Sequence, residues 1–246
     1  MNRILDIDDN ELRQLGRYLG ININALSGDY TCKKQFIMNY VIYSHLEYKV
    51  DLWFKKYNKI AISYSYSLET WALILRDKLI ENGYEPIMDQ THINLSDRSI
   101  SSFEKILSEQ FLLVCIINKK YLKSFNCMRE FYLLCQKYDF NTTEICKHLI
   151  AVWDKNIKFS LEIINDIAEF WENEMQRQNE QLQRNYHAIR QKEVIDMDMC
   201  AKIYHHSLEM LHIIKDVSAF RIQRDIEPYI PNILSAIESR LKSYGN

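Results

Sequence analysis

Four short runs without helical spacing alternate with longer segments of helical periodicity through the middle of the chain. The runs lie at residues 60–64, 84–89, 111–117 and 148–153 and are largely apolar. Runs of this kind are typical of buried strands. Strands that alternate with helices indicate an α/β fold built on a parallel sheet. We therefore predict a doubly wound parallel sheet at the centre of the fold.

Helical periodicity marks the segments on both sides of these runs. In residues 1–57, apolar residues recur at helical spacing around turns at Gly20 and Gly28, which predicts a small all-α domain. The α/β domain would occupy residues 58–246. Within it, residues 160–214 have helical spacing and a polar middle, so we expect a helical insertion before the last helix.

The composition excludes several classes of function. A formal net charge of −2 provides no basic surface for nucleic acid. The N-terminus lacks the apolar core of a signal peptide, and no segment approaches the roughly 18 consecutive apolar residues of a membrane span. The six cysteines are scattered without metal-ligand spacing, as expected for reduced thiols, and we predict a cytoplasmic protein without a metal site. Adjacent His205 and His206 would point about 100° apart on a helix, which does not suit a shared metal.

The segment after the third run carries the groups best suited to chemistry. Ser124, Cys127 and Glu130 are spaced at i, i+3 and i+6, directly beyond the apolar run 111–117. A strand that leads into a helix bearing such groups is how α/β folds build a pocket at the carboxyl edge of the sheet. Each residue also suits a structural role: Ser124 as an N-cap, Cys127 in the core and Glu130 on a solvated helix face. The spacing alone leaves both interpretations open.

Three separated boxes, in order, resemble the Toll/interleukin-1 receptor (TIR) domain family. The first is residues 60–65, followed by Glu69 and Trp71, and the second is residues 83–89 with 95–100. The third is residues 116–124 with Cys127 and Glu130, which matches the family box of serine, any residue, aromatic, cysteine, two residues and glutamate. Two positions depart from the pattern: Asn126 replaces the aromatic residue, and Asp97 replaces a loop glycine.

This resemblance implies a flavodoxin-like sheet, with the last family helix resuming near Phe220. Many TIR domains cleave the bond between nicotinamide and ribose in NAD+, so NAD+ would be the substrate and no cofactor would be needed. Glu130 matches the family's catalytic glutamate. The residues that would bind the substrate are Tyr64, Ser65, Asp89, Ser124 and Cys127.

The resemblance also implies partners. TIR catalysis generally requires self-association, in which the loop at residues 90–98 would complete a neighbouring site. Residues 10–55 resemble, more loosely, the death-like effector-associated domains of bacterial defence proteins, which implies a protein partner for this region. The function implied is an NAD+ glycohydrolase of an antiphage or immune defence system. Two alternatives stay open: a non-catalytic TIR adaptor, to which Asn126 gives weight, and a cyclase that makes an ADP-ribose-derived messenger.

Overall fold

The centre of the structure is a parallel β-sheet. This computed structural model describes residues 2–54, 59–88, 112–157, 159–184, 191–217 and 219–243. Its strands are β1 (Lys59–Tyr64), β2 (Glu85–Met88), β3 (Leu112–Ile117), β4 (Leu149–Asp154) and β5 (Ala219–Ile222). They lie in the order β2-β1-β3-β4-β5, and every neighbouring pair is parallel. The predicted doubly wound α/β fold is therefore confirmed.

Helices precede the sheet and connect its strands. The N-terminal region contains α1 (Asp9–Tyr18), α2 (Tyr30–Tyr43) and α3 (Glu47–Phe54). The helices of the α/β region are α4 (Glu69–Glu81), α5 (Lys119–Leu122), α6 (Phe125–Lys137), α7 (Thr142–His148), α8 (Leu161–Arg184), α9 (Gln191–Asp216) and α10 (Ile230–Ser243). Among the described helices, none is both long and apolar enough to cross a lipid bilayer. From the sequence we also predict a helix at residues 99–109, which lies outside the described residues.

Alternation along the strands divides the core between the two faces of the sheet. Successive side chains of a strand point to opposite faces. Ile60 and Ile62 of β1 pack into a core shared with the N-terminal helices, α4 and α10. Ala61 of β1 and Cys115 of β3 pack into a second core, shared with α6, α7, α8 and α9. Both faces are covered, which explains why the strands read as continuous apolar runs.

The last strand corrects one expectation from the sequence. We expected the final helix to resume near Phe220, but Phe220 lies on β5 opposite Val152, and α10 begins only at Ile230. The helical segment predicted at residues 160–214 consists of α8 and α9, which connect β4 to β5. A strand of four residues directly after a long helix is too short to show its own periodicity.

The N-terminal helices pack directly against the α/β region. α1 begins with a capping box, in which Glu11 N donates to Asp8 Oδ1 at 2.8 Å and Asp8 N donates to Glu11 Oε2 at 3.0 Å. At its other end, the Tyr18 ring contacts the Tyr84 ring edge-on, with centroids 5.6 Å apart. Both tyrosines are buried in one continuous core with β1 and α4. These helices are thus part of the same hydrophobic core as one face of the sheet.

This tyrosine pair makes the stability of the folded protein sensitive to alkaline pH. Burial raises the pKa of Tyr18 and of Tyr84 far above the ordinary value near 10. Because the pKa of each phenol is higher in the folded state, the contribution of the neutral phenols to stability is complete below about pH 10. It is lost as the pH rises toward the pKa of the folded state. We expect the free energy of unfolding to fall as the pH rises from about 10 to about 11, and to fall less in the double variant Tyr18→Phe/Tyr84→Phe.

Urea unfolding at a series of pH values measures this dependence. Tyr43 is 83% exposed, so Tyr43→Phe serves as the control and should leave the pH dependence unchanged. An unaltered pH dependence in the double variant would show that ionisation of these two phenols does not oppose the docking of α1.

Candidate functional site

The carboxyl ends of β1 and β3 form the switch point of the sheet. In the sheet, β2 lies on one side of β1 and β3 lies on the other, so the direction of the strand order reverses here. A crevice therefore opens above the carboxyl ends of β1 and β3. Ser65 follows β1 and Asn118 follows β3, and Ser65 Oγ donates to Asn118 Oδ1 at 3.0 Å. Asn118 Nδ2 donates to Ser67 Oγ at 2.8 Å. One amide side chain therefore joins the two strand ends.

Asn118 also begins the next helix, because its Oδ1 accepts a hydrogen bond from Tyr121 N at 2.8 Å. We did not identify this residue as part of the site from the sequence. The signal was present, since an asparagine between a buried strand and a helical segment is a typical N-cap. Its bond to Ser65, 53 positions earlier in the chain, depends on the pairing of β1 with β3.

A cavity of about 690 Å³ opens at this switch point. It is lined by Ser65, Tyr66, Ser67, Lys119, Lys120, Lys123 and Ser124. Its volume lies in the range of small-molecule sites, and its hydroxyl and ammonium groups suit a polar, anionic ligand. Of the predicted site residues, Ser65 and Ser124 line this cavity.

One further predicted residue, Cys127, connects the first turn of α6 to β1. Ser124 is the N-cap of α6 and accepts a hydrogen bond from Cys127 N at 3.5 Å. Cys127 is buried, and its Sγ donates to Tyr64 O at 3.3 Å. The structural interpretations of Ser124 as a cap and Cys127 as a core residue are therefore correct. Their contact with substrate stays a prediction, as does that of Tyr64, and Asp89 lies outside the described residues.

Glu130 lies on the sheet side of α6, one turn beyond Cys127. It is only 6% exposed, so the interpretation as a solvated helix residue is wrong. Its charge helps to raise the pKa of Tyr121 and of Cys115, although burial is the larger cause for both groups. Tyr121 Oη contacts Ser63 Oγ at 2.9 Å and donates to Cys115 Sγ at 3.3 Å. The carboxyl group of Glu130 is thus shielded from water and acts electrostatically on Tyr121 and on Cys115 of β3.

The helix α8 approaches the cavity from the other side. Asp166 Oδ2 lies 3.1 Å from Lys119 Nζ and 2.9 Å from Lys123 Nζ. One turn later, Trp171 Nε1 donates to Leu122 O at 2.9 Å, which fixes α8 against α5. The sequence showed an acidic residue in a polar helix and gave no indication of its partners.

The described residues contain no group of three His, Cys, Asp or Glu that could hold a metal ion. His206 instead stacks on Phe140, with ring centroids 4.4 Å apart, and its Nδ1 lies 3.1 Å from Glu209 Oε2.

The sequence that forms these strand ends and α6 also matches a known protein family. A model of the TIR domain matches residues 60–184. This chain belongs to the TIR domain family. The match includes β1 to β4 and the whole of α8, together with the predicted site residues Tyr64 to Glu130.

The chain is also similar to one solved structure, that of the TIR domains of the activated Roq1 resistosome, which directly recognises the pathogen effector XopQ. It is 16% identical, with a TM-score of 0.45, and the similarity covers 73% of this chain and 98% of that chain. No curated protein sequence matches this TIR protein.

Proposed function

We propose that this TIR protein is an NAD+ glycohydrolase that cleaves the nicotinamide–ribose bond when its TIR domains cluster. The observation that carries the proposal is the position of Glu130. A buried carboxyl group lies on the sheet side of α6, near the switch point where ligands bind in open α/β sheets. The described residues that line the cavity at this switch point do not include Glu130, and they carry hydroxyl and ammonium groups.

The chemistry requires one well-placed carboxylate. Nicotinamide leaves NAD+ as a neutral ring, so no general acid is needed to protonate it. The group to be stabilised is the ribose, which acquires oxocarbenium character as the bond breaks. A carboxylate close to the ribose stabilises this positive charge, and exclusion of water strengthens the interaction. Glu130 would supply that charge, while Tyr64, Ser65, Asp89, Ser124 and Cys127 would shape the binding site.

The proposal extends to assembly and cellular role. Self-association of TIR domains would complete the site, and NAD+ would serve as substrate without a further cofactor. The N-terminal helices share a core with the sheet, so a partner bound to them could influence the α/β region through direct packing. We place this activity in the cytoplasm, in an immune or antiphage defence system, with the death-like N-terminal region as the receiver of the signal.

A second candidate function is that of a non-catalytic TIR adaptor, and Asn126 favours it. This residue is exposed in the first turn of α6, where the family box has an aromatic residue that could stack on a base. Without that ring, the protein would assemble other TIR domains and leave NAD+ intact.

Product analysis distinguishes these functions. The full chain, clustered through a fused oligomerising tag, is incubated with NAD+, and the products are resolved chromatographically. Nicotinamide together with ADP-ribose supports the glycohydrolase, and nicotinamide together with a cyclised product supports the messenger-forming enzyme. Intact NAD+ in the presence of clustered protein contradicts both and supports the adaptor.

A further inference from the structure

We propose that Lys119, Lys120 and Lys123 form a diphosphate-binding subsite, and that Asp166 occupies this subsite as an internal anion in the ligand-free protein. The choice of ligand rests on the proposed function, because NAD+ carries a diphosphate between its two riboses. The subsite and its blockage can be tested with ligands that contain no nicotinamide.

The geometry around Asp166 is that of a bound anion. A single oxygen, Oδ2, lies within ion-pair distance of two ammonium groups, at 3.1 Å from Lys119 Nζ and 2.9 Å from Lys123 Nζ. Both lysines line the cavity at the switch point, whereas Asp166 reaches them from α8. Two cations that converge on one oxygen form the contact that a phosphate oxygen would make in its place.

The charges of the cavity fit a ligand with more than one negative charge. Among the described residues that line it, three are lysines and none is acidic. Asp166 contributes one negative charge from outside the lining. These groups leave an excess of two positive charges with Asp166 in place and of three once it is displaced, which suits a ligand with at least the two negative charges of the diphosphate in NAD+. The hydroxyl group of Ser124, whose oxygen accepts from Cys127 N, supplies an additional donor at the same wall.

Asp166 is held at this position by the packing of its helix. Ile167 and Trp171 are buried, and the indole N–H of Trp171 bonds to the carbonyl oxygen of Leu122 at 2.9 Å. Lys123 Nζ also lies 5.2 Å from the centroid of the Phe170 ring. Hydrogen bonds from Lys123 and Lys119 lower the pKa of Asp166, so the carboxylate stays ionised at neutral pH.

An anion already present in a binding site competes with the ligand. A diphosphate can use both lysines fully only after Asp166 has released them, so the apparent affinity is reduced by the fraction of molecules in which the lysines are free. Loss of the carboxylate should therefore increase affinity, although it removes two ion pairs from the folded protein. A structural ion pair and an internal competitor thus make opposite predictions for ligand binding.

Calorimetric titration of the full chain with ADP tests the proposal, at fixed ionic strength and without NAD+. Asp166→Asn should bind ADP about fivefold more tightly, because the competing pairs are partly exposed and each is worth about 1 kcal/mol or less. Lys123→Gln should bind ADP about tenfold more weakly, since a charge-assisted hydrogen bond to phosphate is lost. Lys123 is the better choice of the two paired lysines because 27% of its side chain is exposed, against 55% for Lys119.

Matched controls come from a second lysine–aspartate pair. On α9, Lys202 Nζ lies 2.6 Å from Asp198 Oδ2, and both side chains are exposed. Asp198→Asn and Lys202→Gln make the same changes in charge away from the cavity and should leave ADP affinity unchanged. Urea unfolding verifies that each variant folds. If Lys123→Gln does not fold, Lys119→Gln provides a second test.

Three results would overturn the proposal. The first is equal or weaker ADP binding by Asp166→Asn, which would make Asp166 a structural partner only. The second is an equal loss of affinity in Lys123→Gln and Lys202→Gln, which would show non-specific attraction. The third is failure of inorganic pyrophosphate to compete with ADP, which would show that the protein holds the nucleoside and not the diphosphate. None of these measurements depends on NAD+ cleavage, so failure of the subsite and failure of the proposed enzyme remain distinguishable.

Discussion

Replacing Glu130 with glutamine is expected to reduce nicotinamide release by clustered protein about 10²- to 10³-fold, the loss typical of removing one electrostatic stabiliser. Glutamine preserves the size of the side chain and removes its charge. The positive charge on the ribose develops only as the glycosidic bond breaks, so the loss should appear in kcat with little change in KM. Chromatographic assay of nicotinamide over a range of NAD+ concentrations measures both constants.

Glu144→Gln is the matched control for this variant. Glu144 lies on α7, where its Oε1 pairs with Lys147 Nζ at 2.6 Å on an exposed surface away from the cavity. We expect its activity to stay close to that of the unmodified protein. If Glu130→Gln retains full activity while it folds normally, another residue must stabilise the ribose, and the catalytic assignment of Glu130 is lost.

Replacing Gly83 with alanine is expected to lower the free energy of unfolding by about 2–5 kcal/mol. Gly83 has φ of +83°, a conformation that costs an L-residue about 1–2 kcal/mol. A Cβ atom there would lie 2.1 Å from both N and Cα of Tyr18, so backbone in α1 would have to move. Overpacking of this kind adds about 1–3 kcal/mol. Urea denaturation monitored by circular dichroism measures the change.

Gly20→Ala separates the two contributions. Gly20 also has a positive φ, +75°, but a Cβ atom there would meet nothing within 4 Å. It should therefore lose only the conformational term, about 1–2 kcal/mol. Equal losses for the two variants would mean that α1 is not pressed against the turn before β2. A larger loss for Gly83→Ala would show that the N-terminal helices are held directly on the α/β region.

Local patterns predicted the strands that run through the centre of the sheet. β1, β3 and β4 are buried on both faces, so each one appears in the sequence as a continuous apolar run. β5 escaped detection because four residues at the end of a long helix show no period of their own. The start of α2 is a second example: Asp29 and Thr31 are both residue types that favour an N-cap, and it is Asp29 Oδ1 that accepts the bond from Cys32 N at 2.8 Å. Two capping residues close together cannot be ranked without the backbone geometry.

The sequence by itself determined the fold class and, through the spacing of Ser124, Cys127 and Glu130, which turns of α6 would carry chemical groups. It could do so because hydrophobic periodicity and capping are local properties of the chain. Only the tertiary structure decided that Glu130 is buried, that Asn118 joins two strand ends, that Asp166 pairs with two cavity lysines and that Tyr18 packs against Gly83. Each of these features depends on contacts between residues distant in sequence, which exist only once the strands have paired and the helices have packed upon them.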